Sequence, residues 1–214
     1  MKNTVNYFMW AVIVAPLLYL VLVWNQLPEI VPTHFGISGK PDAYGPKWTL
    51  FLLSAVSVGM YFLLRYVPQL DPRLKQAHLS EHFPKLILLI LTFLAAIHVL
   101  IIRAALTQMA GEGFINIVFV GVFLLFAGIG NYLNNIKSNY FVGIRTPWTL
   151  ESETVWRKTH QIGAKIYFTV GIIGALGVVW LPEVWKIVWT LGLILGSSFW
   201  IIFYSYYIYQ KEKK

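Results

Sequence analysis

The sequence predicts an all-α integral membrane protein of about six transmembrane helices in a compact bundle, with both termini in the cytoplasm. Three observations carry that expectation. Hydrophobic residues fill 57% of the 214 positions and charged residues only 12%, where a soluble domain is roughly a quarter charged. Apolar runs of membrane-spanning length recur from one end of the chain to the other. Lysine and arginine are partitioned unequally between alternate connections.

A hydrocarbon core about 30 Å thick takes a helix of about 20 apolar residues. Runs at 7–24, 48–67, 86–102, 114–133, 166–180 and 184–208 meet or approach that length. The first is read as an uncleaved span, because it is long and no small-residue cleavage site precedes Asn25-Gln26-Leu27-Pro28. Pro16 predicts a kink within it. The third and fifth runs are short, and the fifth lengthens backward through Ile162, Gly163 and Ala164 if Lys165 snorkels to the interface. Gly171, Gly174 and Gly177 in the fifth run, with Gly192 and Gly196 in the sixth, are spaced to let helices approach closely. Residues 1–84 form a first hairpin with its Pro/Gly-rich outer loop (27–47), and 85–214 a four-helix region with a cytoplasmic segment (139–165). The two parts are expected to make one structural unit, packed as three outward-pointing hairpins.

Orientation follows from the basic residues, which accumulate on cytoplasmic connections. One face collects Lys2, Arg65, Arg73, Lys75, Lys85, Lys137, Arg145, Arg157, Lys158, Lys165, Lys211, Lys213 and Lys214, thirteen of the seventeen. The other holds only Lys40, Lys47, Arg103 and Lys186. Amphipathic rings favour the headgroup layer. Trp24 and Trp48 bracket the first outer loop, Trp180 and Trp185 the last outer turn, and Tyr204, Tyr206, Tyr207 and Tyr209 form an inner belt.

The same reading excludes several function classes. The net charge of +8 is accounted for by topology, so no direct nucleic-acid partner is expected. Cysteine is absent, which removes thiolate nucleophiles, thiolate metal sites and disulfides. His78-Leu79-Ser80-Glu81-His82 matches the inverted zinc-protease motif, yet it lies in a short linker with no catalytic domain around it. Neither a cofactor nor a metal is expected. His98, inside the third run, is read as a neutral imidazole hydrogen-bonded across helices.

Two connections are too rich in polar and turn residues to be plain linkers. The outer loop 27–47 carries Pro28, Pro32, Pro41 and Pro46 with Gly36, Gly39 and Gly45, which impose turns and suggest a compact lid. Glu29, Thr33, His34, Phe35, Gly36, Asp42 and Tyr44 either converge there on a ligand or cap the loop's own turns. His34, Glu29 and Asp42 lack a spacing diagnostic of a metal site. In the cytoplasmic segment 139–165, Gly143 permits positive φ, and Thr146-Pro147 suits a helix start. Trp156, His160, Gly163 and Tyr167 follow at helical spacing, sharing a face of a helix that runs on into the fifth span. This segment is either an interfacial helix anchored by Trp148 and Trp156, or a docking surface built on Arg145, Trp148 and His160.

The stretch Asn-Tyr-Phe-Val-Gly-Ile-Arg-Thr-Pro-Trp-Thr-Leu at 139–150, followed by Val-Trp-Arg-Lys-Thr-His at 155–160, resembles the signature of the SdpI family of bacterial membrane proteins. The loop Leu-Pro-Glu-Ile-Val-Pro-Thr-His-Phe-Gly-Ile-Ser-Gly-Lys-Pro-Asp at 27–42 resembles the domain of unknown function that forms the N-terminal half of many members. The resemblance implies a multi-pass protein of the bacterial plasma membrane. It also implies immunity against a secreted antimicrobial peptide toxin and sequestration of a cognate repressor at the membrane, without enzymatic activity. On that footing Glu29, His34, Phe35, Gly36 and Asp42 form a toxin-facing loop. Asn139, Gly143, Arg145, Thr146, Pro147, Trp148, Trp156 and His160 form a cytoplasmic signature and docking surface. A small transporter or channel is the alternative, but His98, Asn131 and Ser197 are few polar groups for a path. A membrane enzyme would cluster carboxylates at one depth, and the nine acidic residues are scattered.

The charge asymmetry places Lys40 outside and Lys158 inside. With single cysteines at these positions, an impermeant thiol reagent applied to intact cells labels position 40 and spares 158; the reverse pattern inverts the topology.

Overall fold

The computed structural model describes residues 2–72, 82–107 and 111–213. Its elements in chain order are α1 (Lys2–Leu22), β1 (Ile30–Phe35), β2 (Pro41–Pro46), α2 (Leu50–Tyr66), α3 (Phe83–Thr107), α4 (Glu112–Leu133), α5 (Pro147–Glu151), α6 (Glu153–Val178) and α7 (Glu183–Glu212). Among the described residues six helices are long and apolar enough to cross a membrane. They correspond to the six apolar runs, and α3 and α6 are longer than the runs alone suggest, at 25 and 26 residues. Helix α1 continues through Pro16. The inverted zinc-protease motif, apart from His82, lies outside the described residues, as do Arg73 and Lys75.

Within the bundle the helices fall into two packing groups joined through α3 and α4. α3 packs against α1 and α2 and also meets α4, while α4, α6 and α7 pack among themselves. Met9, Ile13, Tyr61, Phe83, Leu86, Ile87 and Leu91 make the core of the first group at one end of the bundle, with Ile136 and Val142 leaning on it. Leu20, Leu27, Val31, Leu50, Ile102 and Ala105 make its core at the other end. The first end therefore carries the 139–165 signature and the N-terminus of α1; the second carries the loop 27–47.

Lipid tails are as apolar as leucine, so helices in a membrane associate chiefly through close fit. α4 and α6 meet that requirement at glycine. A Cβ on Gly171 would sit 2.5 Å from the Ala127 nitrogen and 2.6 Å from the Phe123 carbonyl. One on Gly130 would sit 2.5 Å from the Phe168 nitrogen, and one on Gly174 would overlap the Phe123 ring. Phe123 is thereby fully buried beside Ala175 and Val178. Gly177 lies under the Trp189 ring, 2.9 Å from a would-be Cβ. Gly192 and Gly196 do not follow the expectation of close approach, since nothing lies within 4 Å of either would-be Cβ. Their face of α7 looks outward.

The loop 27–47 is more regular than its prolines and glycines suggest. β1 and β2 pair antiparallel, from Ile30 opposite Pro46 to Phe35 opposite Pro41, with irregular register around His34. The strands survive because Val31, which is fully buried, anchors one face of the hairpin on Leu20, Leu50 and Ile102. The prolines lie where a two-stranded sheet has edges that need no ladder donor.

Gly171→Ala is expected to destabilise the protein by about 1–3 kcal/mol, the usual cost of forcing atoms into a filled interface. Gly192→Ala meets open space and is expected to be neutral or slightly stabilising. Thermal unfolding of the purified variants in detergent measures both, and equal effects would refute the packing role of Gly171.

Candidate functional site at the two ends of the bundle

The signature end is built where α4 stops. The chain from Asn134 to Arg145 has no regular ladder, so its backbone groups need other partners. Asn139, only 2% exposed, supplies four of them. Its Oδ1 accepts from the Phe141 and Val142 nitrogens at 2.8 and 2.7 Å, and its Nδ2 donates to the Lys137 and Val142 carbonyls, both at 2.8 Å. The Tyr140 nitrogen donates to Asp71 Oδ2 at 2.5 Å, reaching a fully buried carboxylate from the connection after α2. Arg145, exposed, donates from Nη1 to the Tyr140 carbonyl at 2.6 Å, which holds its fork over the same turn.

Gly143 follows with φ of 121°, in the left-handed region that favours glycine. A Cβ there would sit 2.5 Å from His160 Nε2 and 3.0 Å from the Trp156 ring. The absence of a side chain lets the Ile144 nitrogen donate to His160 Nε2 at 3.0 Å. His160 Nδ1–H in turn donates to the Trp156 carbonyl at 2.9 Å, so both ring nitrogens are occupied and the imidazole is neutral. Its ring stacks on Trp156 at 4.1 Å, and Trp156 Nε1 donates to the Ile136 carbonyl at 2.8 Å.

Thr146 caps α5 as its sequence suggests. Its hydroxyl accepts from the Thr149 nitrogen, its own nitrogen donates to Thr149 Oγ1 at 2.8 Å, and Pro147 takes the first turn. α5 is only five residues long, because Ser152 is extended and starts α6 as a fresh N-cap. Trp148 and Trp156 are therefore not lipid anchors of an interfacial helix. Trp148 Nε1 donates to Ser205 Oγ on α7, and Trp156 is 3% exposed. Two further bonds bind this corner to α7: Ser152 Oγ donates to Glu212 at 2.6 Å, and the Tyr209 hydroxyl donates to Glu151. Beneath it opens a cleft of about 600 Å³, lined by Asn134, Asn135, Lys137, Glu153, Arg157 and His160 among others.

At the opposite end the hairpin lies across the helices. His34 Nδ1–H donates to Asp42 Oδ1 at 2.5 Å, while Glu29 takes Lys47 at 2.9 Å. Glu29, His34 and Asp42 thus form two separate exposed pairs rather than one cluster. Lys47 also lies 4.8 Å from the centre of the Trp24 ring. Phe35 stacks on Phe114 of α4 at 4.1 Å, and a Cβ on Gly36 would sit 3.2 Å from Asp42 Oδ2. At the hairpin tip Gly39, φ 70°, accepts from the Gly111 nitrogen at 2.8 Å. Ile30, Ile37 and Tyr44 remain half or more exposed on this lid.

Other residues stand where sequence spacing gave no sign of them. Asp71 meets Tyr140 from 69 residues away, and Lys186, with no exposed surface, donates to Glu112 Oε1 at 2.8 Å from 74 residues away. A lysine on the sparsely basic face and an acid at a helix start were the available signals, but neither names its partner. His98 is 1% exposed, and its ring reaches the Leu50 backbone at the start of α2, across helices as expected, while its Nε2 has no hydrogen-bond partner among the described residues. Asn131 is exposed, and Ser197 bonds the Ile194 carbonyl of its own helix at 3.0 Å.

Asn139→Asp replaces two N–H donors by carboxylate oxygens facing the Lys137 and Val142 carbonyls. Buried groups left without partners cost about 1–3 kcal/mol each, so the variant is expected to unfold well below the parent in detergent. Asn135→Asp, at an exposed position, is the matched control, and equal unfolding temperatures would show that Asn139 does not hold the turn.

Comparison with known proteins agrees with both ends. Residues 11–58 match a domain of unknown function, DUF1648, and residues 135–206 match the SdpI/YfhL protein family. Immunity protein SdpI of Bacillus subtilis (strain 168) is 28% identical over 160 residues, covering 73% of this chain and 72% of that protein. An uncharacterized protein of Archaeoglobus fulgidus is 54% identical over 39 residues, which are 18% of this chain and 21% of that protein. No solved structure matches. The signature corner and the hairpin fall within the two matched regions: the chain carries an SdpI/YfhL family domain at 135–206, with a DUF1648 region ahead of it at 11–58.

Proposed function

We propose that this chain is a membrane immunity protein of the bacterial plasma membrane, protecting against a secreted antimicrobial peptide. The observation that carries the reading is the likeness to Immunity protein SdpI, which extends over 73% of the chain and is not confined to one motif. The charge asymmetry puts the hairpin on the side from which a secreted peptide arrives. There Ile30, Ile37 and Tyr44 offer an exposed apolar strip beside the polar His34–Asp42 and Glu29–Lys47 pairs. An amphipathic peptide fits such a surface, since apolar anchors supply affinity and a polar rim supplies orientation. Phe35 and Gly36 serve this contact by seating the hairpin on α4 and closing its turn, and the reading requires no catalysis.

The signature end is the docking place for a cytoplasmic repressor. Asn139, Gly143, Thr146, Pro147, Trp156 and His160 act there as the frame, being engaged within the chain. Arg145, at the surface, and Arg157 and Glu153, in the cleft, are the groups left to meet a partner. Arginine's planar fork suits a partner carboxylate, and lysine's point charge does not reproduce it. The residues before and after position 84 work as one unit in this reading, since the first carries the lid and the second its seat.

Replacing 27–47 by the corresponding loop of a family member that protects against a different peptide is expected to transfer protection to that peptide. Survival of a sensitive bacterial strain expressing the chimaera measures it. Protection that stays with the helices would reduce the hairpin to a cover.

A further inference from the structure

The hairpin and the signature lie at opposite ends of the bundle, yet one helix is bonded toward both. At the hairpin end, the first turn of α4 holds three things at once. Gly111 donates to the Gly39 carbonyl at the hairpin tip, Phe114 stacks on Phe35, and Glu112 accepts from Lys186 in the first turn of α7. α7 then runs unbroken for 30 residues, about 45 Å at 1.5 Å per residue. At its far end Ser205, Tyr209 and Glu212 hold Trp148, Glu151 and Ser152 of the signature corner.

We propose that the Glu112–Lys186 ion pair is a coupling latch, setting the position of α7 according to how the hairpin is seated and so controlling the signature corner at the other end. Three features give α7 freedom that the latch must restrain. α4 is locked to α6 by backbone approach at Gly130, Gly171 and Gly174, whereas α7 touches α4 only slightly and packs on α6 through side chains such as Trp189 over Gly177. A groove of about 230 Å³ on the outward side of α7, lined by Leu181, Trp185, Val188, Trp189, Gly192 and Leu193, leaves nothing packed against Gly192. One turn inward from the latch, Asn116 Oδ1 on α4 and Trp189 Nε1 on α7 are both buried with no partner among the described residues. Two buried polar groups left without partners disfavour the present arrangement. The ion pair favours the present one, because a fully buried ammonium without its carboxylate is strongly unfavourable.

The latch rests on the immunity reading only for what loads the hairpin, and it can be tested without peptide or repressor. The chain has no cysteine, so Val155→Cys puts a single thiol at a position with no exposed surface beside the signature corner. Its labelling rate in permeabilised membranes reports release of that corner. Glu112→Gln, Lys186→Met and Gly39→Ala, the last lifting the tip from Gly111 while leaving both charges, are each expected to change the rate by about fivefold or more, the lower range of measured couplings between sites. The exchange Glu112→Lys with Lys186→Glu is expected to restore it. If the two charge variants fail to accumulate, Gly39→Ala alone decides.

Unchanged labelling at position 155 in every variant that accumulates overturns the latch, even where peptide protection is lost, and leaves the immunity reading standing. Changed labelling in a protein whose parent gives no protection upholds the latch and overturns that reading.

Discussion

The contact between α4 and α6 is the constraint on which the rest depends. With no water to expel between helices in a bilayer, the pair is held by fit, and fit here means glycine against backbone at 130 and 171. That approach fixes where α4 ends and α6 begins relative to each other. It brings the Ile136 carbonyl onto Trp156 Nε1 and stacks His160 beneath Gly143. A bulkier residue at the glycines would separate the helices and undo a polar corner some turns away.

The polar corner follows from a second requirement, that backbone groups near a membrane find partners within the protein. Asn139 meets four of them with one side chain, and His160 meets two with its two nitrogens. A motif of this kind combines a structural and a functional role. The same bonds that consume Asn139, Thr146 and His160 hold Arg145 at the surface and shape the cleft that Arg157 and Glu153 line. The hairpin end uses weaker, exposed pairs over an apolar seat. Exposed ion pairs contribute about 0–1 kcal/mol, so the seat on Val31 and Phe35 holds the lid and the charges orient it.

α7 is held less closely than that pair. It packs on α6 through side chains, with Trp189 over Gly177 and Ser198 Oγ bonded to the Tyr167 hydroxyl at 3.1 Å, and its outward face carries Gly192 and Gly196 with nothing against them. Long-range coupling needs an element with two arrangements that both sites bias. A helix bonded at both extremities and packed between them through side chains on one face meets that description better than the glycine-locked α4 and α6.

The amino-acid sequence by itself determined the membrane bundle, the number and approximate extent of its spans, and the two connections richest in turn and polar residues. These are properties of local composition: apolar length and turn residues such as Thr146-Pro147 and Gly143 act on their own neighbourhood. The helical face of Trp156, His160 and Gly163 was legible for the same reason, since helix geometry turns spacing into direction. What those side chains touch was not. The strands of 30–46 depend on Val31 finding Leu20 and Ile102, and the roles of Trp148 and Trp156 depend on Ser205 and Ile136. The pairings of Asp71 with Tyr140 and Lys186 with Glu112 span 69 and 74 residues. Only the tertiary structure decided them, because a buried polar group takes whichever partner packing brings within about 3 Å, and no local pattern records that choice.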